Sequence, residues 1–156
     1  MATHNATIRW FASPGEDFAK GQYSRAHSWS FDGGAIVPGS ASPHIVPMPW
    51  ADAAAVDPEE AFVASLSSCH MLWFLDLAAR RGYRVDGYVD HAVGMMGRNA
   101  HGKLAMTRVV LRPAVTFGPG PQPDPPALAA LHHEAHDQCF IANSVNTDVR
   151  CEPDVS

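Results

Sequence analysis

Cysteine is scarce in this chain: three among 156 residues. That is too few for a disulfide scaffold, and the odd number points to free thiols in a reducing compartment. Charge is thin at 17%, and its balance is negative, with a formal net charge of −5. A broad electrostatic grip on nucleic acid or on an anionic membrane is therefore not expected. No apolar run approaches the ~20 residues of a membrane-spanning helix. Met1-Ala2-Thr3-His4-Asn5 has neither the basic nor the apolar region of a signal peptide, so a cytoplasmic location is expected. No repeat recurs at periods of roughly 20–50 residues, which argues against a solenoid or propeller. There is no phosphate-binding glycine loop and no dinucleotide fingerprint, nor an evident metal, flavin or haem motif, so no cofactor is expected.

What is present is a chain that is 46% hydrophobic. That supports one domain with a core, over residues 1–156, and is too short for two of ordinary size. Ala6-Thr7-Ile8-Arg9-Trp10-Phe11 reads as a short strand. Tyr23 to Phe31 reads as another, ending at Asp32-Gly33-Gly34, a hairpin turn that returns along Ala35-Ile36-Val37. Pro38 to Trp50 reads as a loop.

The clearest element is a helix near Pro58 to Arg81. Asp57 is a good N-cap, Pro58 suits the first helical position, Glu60 stands three residues after the cap, and Gly82 is a natural stop. The interior, Ala61 to Leu75, is apolar on nearly all sides, which marks a helix buried in a larger core. A small monomer struggles to cover a helix of about 24 residues, ~36 Å long. A second subunit is therefore expected to help. Tyr83 to Met96 and Lys103 to Phe117 read as two long β segments around a turn at Gly97–Gly102. Gly118 to Pro126 reads as a proline-rich connector, Ala127 to Gln138 as a second helix, Cys139 to Val145 as the opening of a short third, and Thr147 to Glu152 as a closing strand before a fraying tail. Strands and helices segregated in this order favour an α+β fold.

Four residues carry candidate chemistry. Cys69 lies mid-helix, Cys139 where a helix breaks, Arg25 in a β segment, and Glu59 in the first helical turn. Singly, each also fits a bland role: a packed thiol, a solvated strand face, a favourable charge at a helix start. Cys151, alternating with Val149, reads as packing.

Together they form a pattern. Asp57-Pro58-Glu59-Glu60-Ala61-Phe62-Val63-Ala64-Ser65-Leu66-Ser67-Ser68-Cys69-His70 resembles the proline-glutamate-to-cysteine helix of the OsmC/Ohr family of organic hydroperoxide reductases. Ala135 to Ser144 resembles that family's second-cysteine segment, and Tyr23 to Gly34 its N-terminal arginine strand and hairpin. The resemblance spans roughly Ile8 to Val149. It departs from the usual pattern at Phe140, where proline is common, and at His70, where an aromatic is commoner. It implies antiparallel sheets around a long buried central helix in an intertwined homodimer.

The resemblance also implies a cycle. Cys69 is the peroxidatic cysteine and Cys139 the resolving one. The attacking species is a thiolate; an ordinary cysteine titrates near ~8.5 and burial raises that value, so a cation beside the sulfur is needed. Arg25 is the candidate, held by a bidentate pair with Glu59. Attack on an organic hydroperoxide releases an alcohol and leaves a sulfenic acid, which condenses with Cys139 to a disulfide. A small dithiol reductant, a dihydrolipoyl group by the resemblance, on a lipoylated protein for example, restores the thiols. Glu59 and Cys69 stand ten positions apart, about 15 Å of helical rise. An antiparallel two-fold dimer could place Glu59 of one subunit near Cys69 of the other. The apolar neighbours Phe62, Leu66, Trp73 and Phe74 suit a bulky organic peroxide.

Two rival readings stay open. His132 and His136, at i and i+4, share a helix face and with Cys139 could supply three zinc ligands; His133 directly after His132 breaks the zincin pattern. A non-enzymatic carrier could instead use an apolar dimer interface as a small-ligand pocket.

Overall fold

The computed structural model describes residues 1–154, so the expected fraying tail lies partly outside the described residues. The chain forms two compact units, Met1–Ala61 and Phe62–Ser156.

The first unit is built on β1 (Ala6–Arg9), β2 (His27–Phe31) and β3 (Ile36–Gly39), an antiparallel sheet in the order β1-β2-β3. The Asp32-Gly33-Gly34 turn forms as expected: Gly34 takes φ +89° and its amide donates to the Phe31 carbonyl, a backbone shape that favours glycine. β3 runs on through Pro38, which an edge strand tolerates because one side of it needs no amide donor. β2 begins four residues later than expected, at His27. The cause is side-chain competition for the preceding backbone. Glu16 accepts from the Ser24 amide at 2.8 Å, and Trp10 Nε1 donates to the Ser24 carbonyl at 2.8 Å. Those groups are lost to a ladder, so Tyr23–Ala26 stays irregular.

α1 (Pro58–Arg80) starts and stops where local chemistry dictates. Asp57 and Glu60 form a reciprocal capping box, each carboxylate accepting from the other's amide at 2.8 and 3.1 Å. At the far end Gly82 takes φ +77°, with Tyr83 N–H donating to the Ala78 carbonyl and Gly82 N–H to that of Ala79. This is a Schellman closure.

The second unit packs around one stripe of α1: Leu66, His70, Phe74, Leu77 and Ala78 are buried, the spacing of a single helix face. By length and composition α1 could cross a membrane, with a mean hydropathy of 1.4 over an 18-residue window. This corrects the expectation that no stretch reaches that length, although the buried stripe is the mark of a core helix.

The two long β segments each break once. The result is β4 (Val85–Asp90), β5 (Val93–Arg98), β6 (Leu104–Leu111) and β7 (Pro113–Phe117), a long hairpin in which β4 pairs with β7 and β5 with β6. Asp90 sits at the break. One carboxylate oxygen accepts from the Arg112 amide at 2.6 Å and the other from Ser67 Oγ of α1 at 2.5 Å. α2 (Pro125–Gln138) opens two residues earlier than expected, capped by the Asp124 side chain, which accepts from Ala127 N at 2.8 Å. A short 3-10 turn covers Ala142–Ser144, and β8 (Asp148–Cys151) closes the sheet parallel to β6, whereas the other strand-to-strand pairings of the described residues are antiparallel. Phe74, Leu77, Ala78, Leu131 and Ala135 form one buried cluster, and Leu66, Val109 and Leu111 a second.

Candidate active site

Cys69 stands on the half-buried flank of α1, one residue before the buried His70. Cys139 is the C-terminal cap of α2, fully buried, and its sulfur accepts from the Ala142 amide at 3.4 Å. The structure brings the two thiols together. Burial pushes Cys139 up to about 11; the Ala142 amide opposes this, and the Cys69 thiol, close enough to interact, pushes the same way as burial. Both cysteines are free thiols. One helical turn beyond Cys69, Trp73 meets Phe140 edge-on with ring centroids 5.4 Å apart, and Phe140 is 68% exposed. The side chain standing where proline is usual thus adds an aromatic wall beside the thiol pair.

Arg25 lies in the first unit, in the irregular segment before β2 and not in a strand. Its Nη1 donates to the Gly21 carbonyl at 2.8 Å and the Tyr23 carbonyl at 2.5 Å, and its guanidinium lies 3.6 Å from the Tyr23 ring centroid. The segment is fixed by its neighbours. Trp29 Nε1, only a donor, gives to His27 Nε2 at 2.7 Å, so His27 Nδ1 carries the ring proton and donates to the Arg25 carbonyl at 2.7 Å. Gly39 makes room for this pair, since a Cβ there would stand 2.6 Å from His27 Nε2. The Arg25 amide donates to the Trp50 carbonyl at 2.9 Å. Glu59, half-buried in the first turn of α1, forms no ion pair with Arg25 within this unit among the described residues.

The histidine grouping weighed as a rival reading of the sequence is corrected. His132 does not join His136 and Cys139; it turns inward to His70 and Cys151. His70 Nε2 and His132 Nδ1 lie 3.2 Å apart, and each is 3.7 Å from Cys151 Sγ. Both rings are buried and stacked at 12°. His132 also stacks on Phe74, with centroids 4.4 Å apart. Burial lowers both histidines to about 4 and pushes the Cys151 thiol up to about 12. His133 points out to Asp137 at 3.4 Å. The sequence offers no signal for this group, because its members are 62 and 81 residues apart in the chain.

The family model described as OsmC-like protein matches residues 51–154, and the chain belongs to that family. A solved OsmC-like protein of unknown function from Vibrio cholerae is 53% identical, covering 98% of this chain and 99% of its own, with a TM-score of 0.96. An organic hydroperoxide resistance protein OsmC from Legionella pneumophila shares 18% identity over 99% of this chain and 98% of its own, at a TM-score of 0.69. The organic hydroperoxide resistance protein OhrB of Bacillus subtilis shares 19% over 97% and 98%, at 0.62. At those identities the last two show the shared α+β fold. No curated protein matches.

Proposed function

We propose that this protein is a thiol-dependent peroxidase that reduces organic hydroperoxides in a reducing, cytoplasmic compartment. The observation that carries this reading is the pairing of Cys69, midway along α1, with Cys139 at the C-terminal end of α2, beside an apolar wall of Trp73 and Phe140. Family membership and the fold shared with organic hydroperoxide resistance proteins support it.

In the proposed cycle the Cys69 thiolate attacks the terminal peroxide oxygen. The S–O bond forms, the O–O bond breaks, and the alkoxide leaves as an alcohol after taking a proton. Cys139 then condenses with the sulfenic acid, forming the S–S bond and releasing water. The raised Cys139 suits this order: it waits as a thiol, and the Ala142 amide is placed to support its sulfur as the proton leaves. A dihydrolipoyl-type dithiol closes the cycle by exchange. Arg25 is proposed as the cation that favours the Cys69 thiolate and Glu59 as the carboxylate that orients it. Ten residues of helix make about 15 Å of rise, so Glu59 is proposed to serve Cys69 across a two-fold dimer.

The test is intact mass of reduced protein titrated with cumene hydroperoxide. Wild type is expected to lose about two mass units, one disulfide's worth of hydrogen, and Cys139→Ser to gain oxygen instead. An unchanged wild-type mass at substoichiometric peroxide would sink the reading.

A further inference from the structure

We infer that His70, His132 and Cys151 form a binding site for a borderline-soft divalent metal, zinc being the natural occupant, separate from the Cys69–Cys139 pair. The geometry is the argument. Zinc sits about 2.0–2.1 Å from imidazole nitrogen and about 2.3 Å from thiolate sulfur, so tetrahedral angles place two such nitrogens about 3.3 Å apart and each about 3.6 Å from the sulfur. The distances here are 3.2 Å between the nitrogens and 3.7 Å from each to the sulfur. One ion therefore reaches all three donors without moving a backbone.

The three donors come from three elements, α1, α2 and β8, which is how a rigid site is fixed. Two imidazoles and one thiolate select zinc, cobalt or copper over magnesium or calcium. The rings already face one another through the atoms that would bind. In the metal-free arrangement one of those two nitrogens must carry a proton to share with the other, while His70 Nδ1 and His132 Nε2 are buried without hydrogen-bond partners in the described residues. Metal binding sets both tautomers: Nε2 of His70 and Nδ1 of His132 give lone pairs, and the ring protons sit on the far nitrogens. The Cys151 proton is released to solvent as the metal–sulfur bond forms. Access exists as well. His132 and Cys151 line a surface cleft of about 260 Å³ together with His133 and His136. Two of the three donor residues line this cleft and the third, His70, lies buried behind them, which leaves a fourth position on the cleft side for water or a small ligand.

Cobalt(II) tests the site, because a thiolate bound to four-coordinate cobalt gives a near-ultraviolet charge-transfer band. Reduced, metal-free full-length protein is expected to take up a single equivalent of cobalt with that band, and zinc is expected to displace it. Cys151→Ser should lose the band, while Cys69→Ser and Cys139→Ser should keep it. X-ray absorption of zinc-loaded wild type, which needs no variant to fold, should show one sulfur and two imidazole neighbours. No band with excess cobalt, a band that survives in Cys151→Ser or disappears in Cys139→Ser, or a zinc shell without one sulfur and two imidazoles would each overturn the site.

Discussion

Cys69 and His70 are neighbours in sequence, yet they look into different chemical worlds. A helix turns about 100° per residue, so Cys69 falls on the half-buried flank beside Cys139, and His70 on the fully buried stripe beside His132 and Cys151. α2 repeats the division: Cys139 caps its end with an amide aimed at the sulfur, while His132, two turns earlier, stacks on Phe74. The first region pairs sulfur with sulfur, with an amide donor at hand. The second pairs sulfur with two imidazoles and, among the described residues, offers that sulfur no amide. A cysteine thus faces a second thiol on one side of α1 and two imidazoles on another.

The largest effect should come from separating the two regions by mutation. Cys69→Ser is expected to abolish peroxide consumption, and Glu59→Ala to cut it by about 100-fold, the size of effect that misplacing a catalytic partner has. Subunits carrying one change each, mixed and reassociated, should regain activity if the site is shared across a dimer. Failure to regain any, with reassociation verified by mass, would remove the two-subunit arrangement.

Phe74→Ala sharpens the comparison from the other side. Phe74 is fully buried and stacked on His132, so its loss should cost about 3–5 kcal/mol, read by chemical denaturation. Cobalt affinity should fall more than the rate of disulfide formation. Equal losses would mean that the two regions are not energetically distinct.

A smaller effect is the pH dependence of the metal-free protein. His70 and His132 are lowered from 6.5 to about 4 by burial. The unfolded chain therefore binds more protons than the folded one between those values, so their contribution to stability is full above about 6.5 and is lost as pH falls toward about 4. Near pH 5 each histidine adds about one proton of uptake on unfolding, or roughly 1.4 kcal/mol per pH unit. His70→Phe should remove one of the two protons. A denaturation midpoint that varies with pH equally in wild type and variant would contradict this.

Legibility from sequence followed the range of the cause. Asp57, Pro58 and Gly82 act on their own turn of helix, so both ends of α1 could be read within a residue. The break of the long hairpin could not, because Asp90 makes it by reaching Arg112 and Ser67, 22 and 23 residues away. The irregular segment around Arg25 was hidden for the same reason: Glu16 and Trp10 take its backbone groups from outside any local pattern. The candidate thiol pair was visible through the family resemblance. The His70–His132–Cys151 group was not, since a buried histidine on an apolar helix and a cysteine in a strand each look like packing until β8 docks parallel to β6.

That docking gives the molecule a built-in clock. The hairpin of β5 and β6 closes locally, but β8 must travel from the end of the chain to pair with β6, with Arg108 meeting Asp148 and Leu111 meeting Cys151. Contacts of such sequence separation form late because their loop entropy is spent before any contact repays it. Cys151 is the last residue of the last strand. Its sulfur meets the two imidazoles once β8 has paired with β6, so protection of that thiol from alkylation during refolding is expected to report the pairing.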